Sequence, residues 1–124
     1  MVELYDFQTG LRVDAQIKKF DHFHDWVIWE VRLIPSSDEM VSEEDTQLQY
    51  DAEVVLHDPY KRFEKSKALL RFSNVNALSV RGLSELGSEL QGISVVKTPT
   101  GVKVMTDDED FFYVEADNLK LSLF

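Results

Sequence analysis

The chain has no cysteine. That removes a disulfide framework, a thiolate nucleophile and any cysteine-based zinc site. No apolar run reaches about 18 residues, so no membrane-spanning helix and no membrane partner are expected. The first ten residues, MVELYDFQTG, lack the basic stretch and long apolar core of a secretory signal, and a cytoplasmic protein is expected. Positive charge is scarce: 13 Lys and Arg stand against 23 Asp and Glu, a formal net charge of −10. A field of that sign repels phosphate backbones, which argues against nucleic acid as a partner. It speeds encounter with a basic protein, although the same acids also serve solubility alone. There is no GxSxG elbow, no glycine-rich phosphate loop, no internal repeat and no linker. At 124 residues the chain is read as one domain, 1–124, long enough to build a core without staples.

What is present is strand pattern. Asp21 to Pro35 holds both tryptophans and two of the three histidines. Val27, Trp29, Val31 and Leu33 fall on one face of an extended segment. Trp26, Ile28 and Ile34 share the other face with Glu30 and Arg32. This predicts a central strand with Trp29 in the core, ended by Pro35. Leu11, Val13, Ala15 and Ile17 alternate with polar residues after a turn at Gly10, which predicts a half-buried strand, with a short helix as the competing reading. Gln47 to His57 alternates most regularly, with Leu48, Tyr50, Ala52, Val54 and Leu56 on one side, and Asp58-Pro59 breaks it.

Further along, Tyr60 to Lys67 is a basic loop. Ala68 to Phe72 and Ala77 to Val80 read as two strands around a bend at Asn74 and Asn76. SELGSELQG reads as a loop. Strands at Ile93–Thr98, Val102–Thr106, Phe111–Ala116 and Leu119–Phe124 are separated by turns at Pro99-Thr100-Gly101, at the acids 107–110 and at Asp117-Asn118. The sum is a mainly β protein: a single-domain antiparallel sandwich or partly open barrel with a C-terminal meander and at most one or two short helices.

Chemistry is sparse. His22 and His24 are spaced to share one strand face near Asp21, Asp25 and Glu30, a pattern that invites a metal reading with His57 as a third ligand. The spacing to Glu30 is poor and no glycine precedes the pair, so His24 and Asp25 are read instead as capping the start of the strand. The acids 107–110 do not alternate and lack the glycine of a calcium loop, and are read as a solvated hairpin tip. No metal, cofactor or catalytic residue is assigned.

Two segments carry a resemblance. Phe23-His24-Asp25-Trp26-Val27-Ile28 leads into an alternating strand, and Leu69-Leu70-Arg71-Phe72-Ser73-Asn74-Val75-Asn76-Ala77-Leu78-Ser79-Val80 has the form of a strand pair. Both resemble small bacterial all-β proteins of the polymorphic-toxin immunity type. The resemblance implies a cytoplasmic β domain that binds and neutralises a cognate toxin, and it carries over no catalytic residues.

The expected function is therefore non-enzymatic partner binding. The acidic loops Asp38, Glu39, Glu43, Glu44 and Asp45, and Asp107, Asp108, Glu109 and Asp110, would steer and rim the contact. Tyr60 or Tyr113 would be the aromatic anchor. A small-ligand or metal-binding barrel, in the extreme an enzyme using His22 and His24, is the second reading. A homo-oligomeric structural protein joined through a free sheet edge is the third.

Overall fold

The computed structural model describes residues 3–35, 49–81, 89–107 and 111–124. Seven strands form one antiparallel sheet: β1 (Glu3–Asp6), β2 (Val27–Pro35), β3 (Tyr50–His57), β4 (Lys67–Val80), β5 (Ser94–Lys97), β6 (Val102–Met105) and β7 (Phe112–Leu123). The order is β2-β3-β4-β7-β6-β5, with β1 added on β7, and among the described residues the sheet does not close on itself. The protein is mainly β and antiparallel, as the strand pattern predicts, and its last three strands form the expected meander. β7 is the hub. One side of it pairs with β4 from end to end, while the other takes β6 along Tyr113–Ala116 and β1 along Lys120–Leu123.

In β3 the alternation read from sequence is observed for Ala52, Val54 and Leu56, which are fully buried; Tyr50, read onto the same side, is exposed, and Leu48 lies outside the described residues. The three buried residues pack in rows with Ala68, Leu70 and Phe72 of β4, which sit opposite Leu123, Leu121 and Leu119 of β7. Two predicted interruptions are corrected. β4 is one strand of 14 residues and β7 one of 12, so Asn74–Asn76 and Asp117-Asn118 do not end strands. They bend them. In β7 the buried set runs Phe112, Val114, Ala116 and then Leu119, Leu121, Leu123, so the inward-facing parity changes across Asp117-Asn118. Successive residues of a strand point to opposite faces, so the two halves of β7 bury opposite faces of the ribbon.

Asn74, in the left-handed region at φ 51, and a bulge between Val75 and Ala77 make the matching change in β4. Polar side chains brace this bend. Asn74 Nδ2 donates to Asp117 Oδ2 (2.7 Å), Asn74 N to Asp51 Oδ1 (3.0 Å), and Asn118 Nδ2 to Asp6 Oδ1 (3.0 Å). Asp6 is buried, and its carboxylate also accepts from the backbone of Gln8 (2.8 Å) and Thr9 (3.2 Å), with Lys120 Nζ at 3.7 Å. Burial pushes this carboxyl up, but the donors and the lysine together outweigh it and hold it below its ordinary value.

Residues 11–18 are not a strand. Helix α1 spans Val13–Lys19, and Val13, Gln16 and Ile17 are its buried residues. The alternation of Val13 and Ile17 misled because a spacing of four satisfies both periods; Gln16, polar yet buried at i+3, marks the helical one. Gly10, at φ 95, turns the chain before it. The predicted turn at Pro99-Thr100-Gly101 is present, closed by Thr98 N to Gly101 O at 2.9 Å. Gly101 is not left-handed there. It is required because a Cβ would stand 2.1 Å from the Ala116 carbonyl oxygen of β7.

The largest correction concerns β2. It is an edge strand, not a central one, and Trp29 and Leu33 are 68% and 54% exposed. The register with β3 slips between Ile28 and Glu30. Trp29 is the extra residue of that bulge, so the alternation counted through it puts Val27 and Trp29 where Ile28 stands, while Val31 and Leu33 keep the face read for them. Ile28, Val31 and Leu33 lie opposite the buried Leu56, Val54 and Ala52. The deeply buried tryptophan is Trp26, just before the strand.

Candidate functional site

The segment between α1 and β2 is built on an uncommon backbone. Asp21, His22 and Phe23 have φ of 55, 54 and 57, a left-handed turn of three consecutive residues, and Asp25 follows at φ 68. Each left-handed non-glycine residue costs roughly 1–2 kcal/mol, least for Asp and most for a bulky side chain such as Phe. Buried aromatics offset that cost. Phe23 and Trp26 are fully buried, their ring centroids 4.7 Å apart in an edge-on contact, and Phe20 lies 6.1 Å from Phe23 and 6.0 Å from Trp26. Phe63 joins at 5.2 Å from Phe20. Each such ring contributes about 1.5–3 kcal/mol by burial.

The segment Glu89–Ile93 fixes the turn from the other side. Leu90 N donates to Trp26 O, Asp25 N to Leu90 O (both 2.8 Å) and Ile93 N to His22 O (2.7 Å). Gly92, at φ 96, lies against the His22 backbone and Cβ.

The loop after β3 closes over the same turn. Asp58 is fully buried and accepts from the backbone of Tyr60 (3.0 Å) and Arg62 (2.9 Å). The strand-breaking aspartate predicted from sequence is thus the organiser of the loop behind it. The Arg62 guanidinium reaches the His24 carbonyl and stands 3.6 Å from Asp25 and 3.8 Å from Asp58. It also lies over the Phe63 and Tyr60 rings, at 5.5 and 5.8 Å. Tyr60 is 58% exposed and its hydroxyl donates to Glu89. That hydrogen bond, and then the charge of Glu89, hold the phenol above its ordinary value.

On the far side of the turn, Asp21, His22, His24, Gln91, Gly92, Ile93, Ser94 and Asp107 line an open hollow of about 230 Å³. Two acidic groups thus flank the left-handed turn: Asp21 and Asp107 at this hollow, and Asp25 and Glu89 beside Arg62 and Tyr60.

Of the residues expected from sequence to meet a partner, Tyr60 is brought beside the turn with Glu89 and Arg62, and Asp107 to the hollow with Asp21. Tyr113 is at neither place. It sits half-buried in β7 opposite Met105 and donates to Glu115 (3.0 Å), with Lys103 Nζ 5.8 Å from its ring. Asp38, Glu39, Glu43, Glu44, Asp45, Asp108, Glu109 and Asp110 lie outside the described residues. Sequence reasoning missed Asp21, Asp25 and Glu89 as rim residues. The available signal was DHFHD itself, whose aspartates suit left-handed backbone.

His24 Nδ1 is 3.1 Å from an Asp25 carboxylate oxygen, a contact between the two side chains and not with the backbone. His57 is not with the other histidines; its ring is 5.3 Å from Trp29 on β2. Among the described residues no group of three or more His, Asp or Glu is placed to hold a metal ion. Comparison with protein-family models, with curated proteins and with solved structures gave no match.

Proposed function

We propose that the protein is a non-enzymatic, acidic binding protein of the immunity type, which neutralises a protein toxin or holds another basic protein partner at the surface around Asp21–Asp25. The observation that carries this reading is the left-handed backbone at Asp21–Phe23 and Asp25, with an exposed Tyr60 beside Glu89 and Asp25 and with Asp21 and Asp107 at the adjoining hollow. Backbone strain of this kind persists only where the surroundings enforce it, and it gathers at binding sites. An exposed tyrosine with carboxylates close by suits the anchor-and-steering arrangement of an interface for a basic partner. The formal net charge of −10 extends the same field over the molecule.

The experiment is titration of the protein with the product of the neighbouring gene, across a salt series. Submicromolar, salt-sensitive binding is expected. The double variant Asp21→Asn/Asp107→Asn should weaken it at least tenfold at low salt, and Tyr60→Ala should weaken it at every salt concentration. Binding by both variants at the wild-type strength would refute the assigned surface. Failure to bind that product at low salt would count against the immunity reading.

A further inference from the structure

We infer that the outer edge of β2 is a self-recognition strand: two copies of the chain pair β2 to β2 antiparallel about a two-fold axis at Val31. Among the described residues, the only β-bridge on this side of β2 is at its start, between Val27 and Glu89. From Ile28 to Pro35 no described strand pairs with that side. Such an edge is a template for a further strand.

The side chains select which strand. An antiparallel pair centred on Val31 sets Glu30 opposite Arg32 of the second copy, and Arg32 opposite Glu30. Opposite charges in directly facing positions stabilise a strand pair, and like charges oppose it. Within one chain Arg32 Nη2 is already 2.8 Å from Glu30 Oε1, so four charges would alternate around the axis.

The apolar residues agree with this register. Val31 meets its own copy. Once the bulge at Trp29 is passed over, Leu33 faces Ile28 of the second copy on the side that carries Val54 and Ala52. Leu33, 54% exposed in the single chain, is then covered. A two-fold interface must be complementary to itself, and VIWEVRLIP is. This surface is distinct from the one around Asp21–Asp25, so loss of either can be read without the other.

The test is sedimentation or light scattering over a concentration series, with wild type, Glu30→Arg, Arg32→Glu and an equimolar mixture of the two variants. Both positions are exposed, and a thermal melt of each variant confirms folding. The wild type is expected to dimerise. Each single variant should dissociate at least tenfold more readily, because its strand then carries one sign and faces itself. The mixture should recover dimers, since a basic strand then faces an acidic one. A wild type that is monomeric throughout, a dimer that neither substitution weakens, or a mixture that fails to recover would each overturn the inference.

Discussion

Trp29 stands edge-on to His57, ring centroids 5.3 Å apart and planes at 72°, on the open side of the sheet beside Val55, Lys67 and Phe124. Trp26, three residues earlier, is wholly enclosed by Phe20, Phe23 and Phe63. The two tryptophans should therefore respond in opposite ways. Trp26→Ala should cost about 3–5 kcal/mol and Trp29→Ala under about 1 kcal/mol, measured by urea unfolding of protein dilute enough to be monomeric. Trp26→Phe should leave an emission readily quenched by acrylamide. Equal losses for the two alanine variants would contradict the edge position of β2.

His22 offers a test of the left-handed turn. It is exposed, with φ 54 and ψ 26. Glycine there relieves roughly 1–2 kcal/mol of backbone strain, against about 0.4–1 kcal/mol of added freedom in the unfolded chain. His22→Gly should leave stability unchanged or raise it by up to about 1 kcal/mol. A loss larger than that in a thermal melt would show that residue 22 is not left-handed.

Asp58 should matter more than its place in a loop suggests. Its buried carboxylate holds two backbone amides and faces Arg62. Asp58→Ala should destabilise by about 2–3 kcal/mol. It should also raise hydrogen exchange at Tyr60 and Arg62, because those amides lose their acceptor. Protection unchanged at both would remove Asp58 from the role assigned to it.

The bend in β4 and β7 carries a pH signature. The Asp6 carboxyl is held below its ordinary value of 3.8 in the folded chain. A depressed carboxyl stabilises the fold above its unfolded pKa, and the contribution is lost as pH falls through the folded one. Asp6→Asn should thus be less stable than wild type at neutral pH, with the gap narrowing below about pH 4. A gap independent of pH between 7 and 3 would mean that the charge on Asp6 contributes nothing.

Gly101→Ala should destabilise by about 1–3 kcal/mol, read by chemical denaturation, because the new methyl meets backbone rather than a side chain that can move. Wild-type stability in this variant would mean that the β5–β6 turn can withdraw from β7.

The fold was legible wherever burial is one-sided and unbroken, as in β3, where Ala52, Val54 and Leu56 needed only a period of two. It was hidden where one extra residue shifts the count. The bulge at Trp29 broke the count, so that Val27 and Trp29 do not share the core-side face of Val31 and Leu33, and Asn74 and Asp117-Asn118, which carry the chemistry of turns, bend strands instead of reversing them. Tyr60 and Asp107 could be selected as exposed aromatic and acid. Their placement beside Asp21–Asp25 could not, since it depends on backbone bonds from Glu89–Ile93 and on Arg62, none of which leaves a periodic trace.

β7 follows β1, β4 and β6 in the chain, yet it supplies a neighbour to all three. As the nascent chain leaves the ribosome, β4 and β6 wait with one flank unmatched, and β1 with no described partner, until residues 112–123 appear. The first strand waits longest, since Glu3 pairs with Leu123. Such distant pairings make the closing step slow and leave earlier strands open to stray contacts. A message truncated before that segment would yield a product with no native middle.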